Sequence, residues 1–277
     1  MWYSFLQLTP ASHSVRIDWS CMALVLQCRN VEKYYGSKRS NVTKALSDVS
    51  FSIEDGGLVG IIGSSGSGKS TLLNCISTAD KVTSGSIEID GHDITKLKSR
   101  QLARFRRNEL GLVFQDPNLI DTLTVFENIA LALTIARVPA GETLLRSRRA
   151  AEMLKVSDVL GKFPAQLSGG QRQRVALARA IVNNPAIVLA DEPTGSLETK
   201  SARVLLEHLG HINSDHGTTV LMATHDPHVA SFCSRVLFLA DGALVDELAR
   251  GMMDRKGFFS RILEVVRFLG GDTADVL

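Results

Sequence analysis

The sequence predicts an α/β protein built on a mainly parallel sheet, and three features carry that expectation. Short apolar runs such as Leu58–Ile62, Ile187–Ala190 and Thr219–Ala223 have the length of buried strands. Helical stretches near 71–76, 170–182 and 200–213 separate them, and such alternation favours parallel pairing with both sheet faces covered. The 277 residues are 44% hydrophobic and 22% charged, enough for a sizeable core and too apolar for a disordered chain.

Taken in order, residues 1–22 read as a loose extension ahead of the domain. They lack a basic leader followed by an apolar stretch, so they do not read as a secretory signal. Met22 opens a run through Cys28 with the character of a first strand, and the pattern stays strand-rich to about 95. Val49–Ile53 alternates, Leu58–Ile62 stops at a glycine, and Ile87–Ile89 runs into the turn Asp90-Gly91.

From 96 to 165 the pattern reads as helical. Thr124 and Glu127 form a capping box that opens a helix through Ile129, Leu131, Leu133 and Ile135, ending before Pro139. A second helix runs through Arg146–Arg149 to Met153 and Leu154. Together they suggest a helical insertion over about 116–168 within a domain of 23–247. Past 168 helix and strand alternate again, closing on a hairpin of Val236–Leu239 and Ala243–Val245 about Asp241-Gly242. In the tail, 248–277, Phe259, Ile262, Val266 and Leu269 recur at helical spacing.

Composition excludes several classes. Thirty-one Lys and Arg against 29 Asp and Glu give a net charge of +2, which makes no case for nucleic acid as the main partner. The basic stretch Lys96–Arg107 lacks an aromatic platform and reads as a solvated helix face. The longest apolar run is six residues, Cys21–Leu26, far short of the roughly 20 a membrane span needs. Cys21, Cys28, Cys75 and Cys233 show no metal or paired spacing and are expected as reduced, buried thiols.

The chemistry is concentrated in three places. Gly63-Ser64-Ser65-Gly66-Ser67-Gly68-Lys69-Ser70 fits G-x-x-x-x-G-K-[ST], with a strand running in and a helix from Thr71 leaving. Its glycines let successive N–H groups face one concavity, and the helix adds its positive end, so the loop is expected to hold phosphates. Lys69 would reach the β- and γ-phosphates, and Ser70 would ligate Mg²⁺. Ile187–Ala190 ends in Asp191-Glu192: Asp191 suits the metal, and Glu192 suits polarising the water that attacks the γ-phosphate. Ser168, Gly169, Gly170 and Gln171 open a second helix as another anion-ready start.

These residues together resemble the ATP-binding subunit of ABC transporters over 23–245. Gly63–Ser70 is similar to Walker A, Gln115 to the Q-loop, and Leu167–Gln171 to the signature. Asp191-Glu192 is similar to the end of Walker B, His225 to the switch histidine, and Tyr35, 28 residues ahead of Walker A, to the aromatic that stacks on adenine. The resemblance implies a P-loop ATPase with a mainly parallel core sheet, an N-terminal antiparallel β subdomain and a helical insertion, using ATP and Mg²⁺. It implies a homodimer with two sandwiched ATPs, Walker A of one chain facing Ser168 and Gly170 of the other. Gln115 would touch Mg²⁺ and the water, and His225 the γ-phosphate. Two positions depart from the family: Glu198 stands for the usual D-loop Asp, and Gly57 for a common Glu.

Within the family, Gly111–Ile129 resembles the lipoprotein-release and macrolide-exporter superfamily. Asp121–Asn128, Thr224–Cys233 and Gly257–Gly271 resemble its bacitracin-resistance ATPases. That implies a cytoplasmic subunit, peripheral on the inner face of the cell membrane through a permease with a large extracellular domain. A sensor histidine kinase often accompanies such a pair. The implied task is resistance to peptide antibiotics. The alternative is a mechanotransmission or lipoprotein-release ATPase of the same superfamily. A small-molecule kinase would share Walker A but has no use for a signature or a switch histidine.

Overall fold

The computed structural model describes residues 23–36 and 42–270. The expected extension 1–22, Cys21 and the last seven residues lie outside that range. The elements are β1 (Leu24–Tyr35), β2 (Thr43–Glu54), β3 (Leu58–Ile62), α1 (Lys69–Ile76), β4 (Ser84–Ile89), β5 (His92–Asp93), α2 (Ser99–Glu109), β6 (Leu110–Phe114), α3 (Val125–Ile135) and α4 (Ala140–Met153). They continue with α5 (Gly169–Ile181), β7 (Ile187–Asp191), α6 (Thr199–His216), β8 (Val220–Thr224), α7 (Pro227–Ala230), β9 (Arg235–Ala240), β10 (Ala243–Ala249) and α8 (Arg255–Gly270).

Two sheets result. A six-stranded sheet runs β10-β9-β3-β8-β7-β6, parallel except for the β9–β10 hairpin, and a four-stranded antiparallel sheet runs β2-β1-β4-β5. β3 and β8 are buried at every residue, as continuous apolar strands covered on both faces must be. On one face Ile61, Leu72, Ile76, Leu221 and Leu237 meet the inward side of the antiparallel sheet through Leu26, Ile53 and Ile89. On the other face α3, α4, α5, α6 and α8 share one core with β7 and β8. The parallel carboxyl ends of β3, β7 and β8 therefore share one rim, where an open α/β sheet carries its ligands.

Three expectations need correction. Leu110–Phe114 falls in the stretch read as helical but is the edge strand β6, pairing in parallel from Leu110↔Ile187 to Phe114↔Asp191. Five apolar residues carry no period that separates strand from helix, and here packing decided. A β-carbon on Gly111 would lie 2.6 Å from the Ala180 carbonyl, so α5 lies directly on this strand. The short α7, after His225, had no expected counterpart. In α8 the buried residues are Phe258 and Ile262, with Val265 and Val266 packed beside them, while Leu269 is exposed. The expected stripe is thus rotated by one residue at its start.

Cys28, Cys75 and Cys233 are free and buried, as expected. Burial pushes all three thiols up, Cys75 to about 11 and Cys233 to about 12, which keeps them protonated.

Because Phe258 has no exposed surface, α8 is part of the main core. Phe258→Ala is expected to cost about 3–5 kcal/mol of stability through lost burial and the cavity left behind. Urea denaturation checks this, and an unchanged midpoint would mean that α8 packs independently of the domain.

Candidate nucleotide site

The loop between β3 and α1 is shaped by close backbone approach. Gly63 has no room for a β-carbon, which would lie 2.2 Å from the Leu239 carbonyl and 2.5 Å from Ser67 Oγ. Gly68 stands at φ 106° immediately ahead of α1, where a β-carbon would lie 2.7 Å from the Ala45 carbonyl. A positive φ that glycine alone adopts cheaply turns the chain into the helix and aims the first-turn N–H groups at the loop. Gly242 N–H donates to the Ser67 carbonyl at 2.9 Å, so the β9–β10 turn ties the loop down from behind.

Lys69 is buried and folds across this loop. Its ammonium donates to the carbonyls of Gly63 (2.8 Å) and Ser64 (2.9 Å). Burial lowers its pKa, and the nearby Glu192 and Asp191 carboxylates oppose that shift. An ammonium held by two neutral carbonyls at the mouth of a loop of N–H donors can readily exchange them for anionic oxygens.

Asp191 ends β7 beside the start of α1. Its carboxyl accepts a hydrogen bond from Ser70, while its Oδ1 is buried with no hydrogen-bond partner among the described residues. Burial raises its pKa, with the Ser70 bond opposing and Glu192 reinforcing the shift. A buried carboxylate oxygen without a partner beside a serine hydroxyl is a hard oxygen pair of the kind that Mg²⁺ favours, so these residues fit the metal.

Glu192 follows at φ 47°, and its N–H donates to the Ala223 carbonyl at the end of β8. That bend separates the two carboxylates: Asp191 stays in the rim, and Glu192 turns to the β8 side. There Glu192 Oε1 lies 2.9 Å from His225 Nδ1. With the carboxylate ionised, Nδ1 carries the proton and Nε2 is left as an acceptor.

Gln115 follows β6 in the same rim. Gly195 packs on it so tightly that a β-carbon would lie 3.1 Å from the Gln115 amide, and Ser196 Oγ donates to the Gln115 carbonyl at 3.0 Å. A cleft of about 840 Å³ joins Ser70, Gln115, Asp191 and Glu192 with Gly169, Arg172 and Ser196. Sequence reasoning missed Gln173, which is fully buried in α5 and donates from Nε2 to the Phe114 carbonyl at 2.6 Å. The signal was available: Gln173 occupies the apolar stripe of Leu177 and Ala180, where a polar side chain needs a partner.

Ser168, Gly169, Gly170 and Gln171 open α5, where Gly169 lines the cleft that also holds Ser70. Ser168 caps α5, accepting from Gln171 N–H at 3.3 Å while Gln171 Oε1 accepts from Ser168 N–H at 2.9 Å. Gly170 packs closely on α6, where a β-carbon would lie 3.0 Å from the Ser201 side chain. Tyr35 ends β1 with its ring 42% exposed, and its hydroxyl is bonded to Asp80 and to Thr71 in the first turn of α1. Glu198 precedes α6 without a side-chain capping bond. Gly57 has a local reason: a β-carbon would lie 2.9 Å from Ile53 Cγ2 and 3.0 Å from the Glu54 carbonyl.

The ABC transporter family profile matches residues 46–195. The chain is 44% identical over 247 residues to the bacitracin export ATP-binding protein BceA of Halalkalibacterium halodurans, covering 89% of this chain and 97% of that protein. The chain belongs to the ABC transporter family. It is an ATP-binding ABC ATPase, a transporter's ATPase subunit. Among solved structures, a dimeric post-hydrolysis state of the ATP-binding cassette MJ0796 with ADP and Pi superposes with a TM-score of 0.74 at 39% identity. That match covers 81% of this chain and 98% of that one. The macrolide export ATP-binding/permease protein MacB of Aggregatibacter actinomycetemcomitans is 40% identical over 80% of this chain and 34% of its own length. Among the described residues no helix is long and apolar enough to cross a membrane.

Asp191→Asn separates the metal role from a packing role. Because burial raises its pKa, the native chain holds the proton longer than the unfolded chain. This group's contribution to stability therefore falls as pH rises through the carboxylate range. At neutral pH the nucleotide-free Asn variant is expected to melt no lower than the parent. It should also lose the extra stabilisation that Mg²⁺ adds to ATP binding, and calorimetry with and without Mg²⁺ reads both effects.

Proposed function

We propose that this chain powers a separate membrane permease as one of two identical ATPase subunits, in a system conferring resistance to bacitracin-like peptide antibiotics. The observation that carries this reading is the 44% identity along nearly the whole length of a bacitracin export ATP-binding protein. Support for a permease partner comes from MacB, which joins an ATP-binding part and a permease in one protein. We extend the partnership to a permease with a large extracellular domain and to a sensor histidine kinase, and place the subunit at the cytoplasmic face of the membrane.

In this proposal the loop Gly63–Ser70, with Thr71, binds the ATP phosphates through its N–H groups. Lys69 leaves the Gly63 and Ser64 carbonyls for the β- and γ-phosphates. Tyr35 stacks on adenine. Ser70, Asp191 and Gln115 hold Mg²⁺, which when bound neutralises charge on the β- and γ-phosphate oxygens. Glu192 accepts a proton from the attacking water, and His225, already bonded to it through Nδ1, orients its carboxylate; when the imidazole is doubly protonated, its Nε2–H also donates toward the γ-phosphate. Ser168, Gly169, Gly170 and Gln171 complete the site of the second subunit. Their self-contained cap leaves the first N–H groups of α5 unpaired within the helix and ready for that phosphate. The dimeric MJ0796 structure with ADP and Pi supports this two-chain arrangement.

Glu192→Gln should bind ATP near the parent affinity and lose about 10²–10⁴-fold in hydrolysis, because an amide cannot take the proton. It should also accumulate as an ATP-bound dimer by light scattering. Near-parental turnover would remove Glu192 from the base role. In the native host the same variant is expected to lose resistance to bacitracin. Unchanged resistance with normal expression would instead favour the lipoprotein-release or mechanotransmission branch of the superfamily.

A further inference from the structure

Lys33 and Tyr35 lie two residues apart on β1 and so share one face of the strand. Lys33 is only 8% exposed, and a buried ammonium is costly unless fully partnered. It has three partners. Nζ donates to Asp80 Oδ1 at 2.6 Å and to the Lys81 carbonyl at 2.7 Å, and it stands 4.7 Å from the centroid of the Tyr35 ring. The other oxygen of the same carboxylate, Asp80 Oδ2, accepts the Tyr35 hydroxyl at 2.7 Å. The Lys33 bond, followed by the bonds from Tyr35 and Lys81, holds the Asp80 carboxyl below the usual carboxylate range, so it stays an acceptor for both.

Asp80 is itself tied to the phosphate-loop helix. Its N–H donates to the Asn74 carbonyl at 3.0 Å, just past α1. The Tyr35 ring is therefore fixed at its hydroxyl through Asp80 and covered on one face by the ammonium, while the residue as a whole stays 42% exposed. An exposed tyrosine at a strand end would otherwise lose side-chain freedom on binding, and a ring fixed in advance avoids that cost.

We propose that Lys33 and Asp80 are positioning residues that set the plane of the Tyr35 ring, so that recognition of a purine base depends on all three. This rests on the reading of Tyr35 as the adenine platform. By contrast the Tyr34 hydroxyl bonds with Lys44 of β2 and Glu32 of β1, not with the segment after α1, and Lys44 Nζ stands 5.5 Å from its ring centroid.

The test compares two ligands of the full-length chain in Mg²⁺ buffer, ATP and inorganic tripolyphosphate, which lacks a base. Lys33→Met keeps the side-chain length without the charge. It is expected to weaken ATP by about tenfold, the scale of a desolvated cation–π contact, and to leave tripolyphosphate affinity unchanged. Lys33→Arg should restore most of the ATP affinity, since a guanidinium pairs with Asp80 and stacks on the ring. Asp80→Asn should follow Lys33→Met. Equal weakening of both ligands would assign the cluster to holding the loop's structure and overturn the proposal. So would an unchanged ATP affinity in Lys33→Met. Tyr35→Ala separates the two levels: if it weakens ATP and Lys33→Met does not, the positioning role alone fails. If Tyr35→Ala binds ATP normally, the adenine-platform reading fails with it.

Discussion

The rest of the site depends on how closely three backbone segments approach one another around the phosphate loop. A β-carbon on Gly63 would lie 2.2 Å from the Leu239 carbonyl, and one on Gly242 would lie 2.6 Å from the Ala45 carbonyl. No side chain fits at either point. The end of β3, the β9–β10 turn and the start of β2 are thereby locked together, with Ser47 N–H donating to the Gly242 carbonyl at 2.8 Å. The antiparallel sheet is thus more than a cover for the core. It supports the loop from behind and, through β1, delivers Tyr35 to its rim.

A second constraint operates across the rim. β7 ends in two carboxylates that an αL bend at Glu192 separates, one staying with Ser70 and the other crossing to His225. Adjacent like charges in a half-buried rim repel, and giving each a different partner lets both remain. The same bend gives the two groups distinct chemistries, an oxygen ligand on one side and a proton acceptor on the other.

The segment after β6 connects this rim to the helical part of the chain. The Phe114 carbonyl accepts from Gln173 of α5, the Gln115 carbonyl accepts from Ser196, and the Asn118 carbonyl accepts from Arg179 at 2.8 Å. Gln115 therefore sits where α5, the segment after β7 and the entrance to α3 and α4 meet. Hydrogen bonds thereby tie the Gln115 segment to α5 and to the segment after β7.

The sequence by itself determined the elements whose chemistry is local. The glycine-rich turn between an apolar strand and a helix, the strand ending in Asp191-Glu192, the capping box at Thr124 and the helix start at Ser168 each rest on residues within one turn or one strand. Their physics is therefore readable without neighbours. Tertiary structure alone decided the rest. Leu110–Phe114 became a strand because α5 and β7 pack against it, and α8 chose Phe258 over Phe259 for the core by the orientation in which it docks. Gln173, Ser196 and the Lys33–Asp80–Tyr35 cluster join residues from 45 to 81 positions apart. Hydrogen bonds of that range leave no spacing in the chain, because the fold, not the covalent neighbour, supplies the partner.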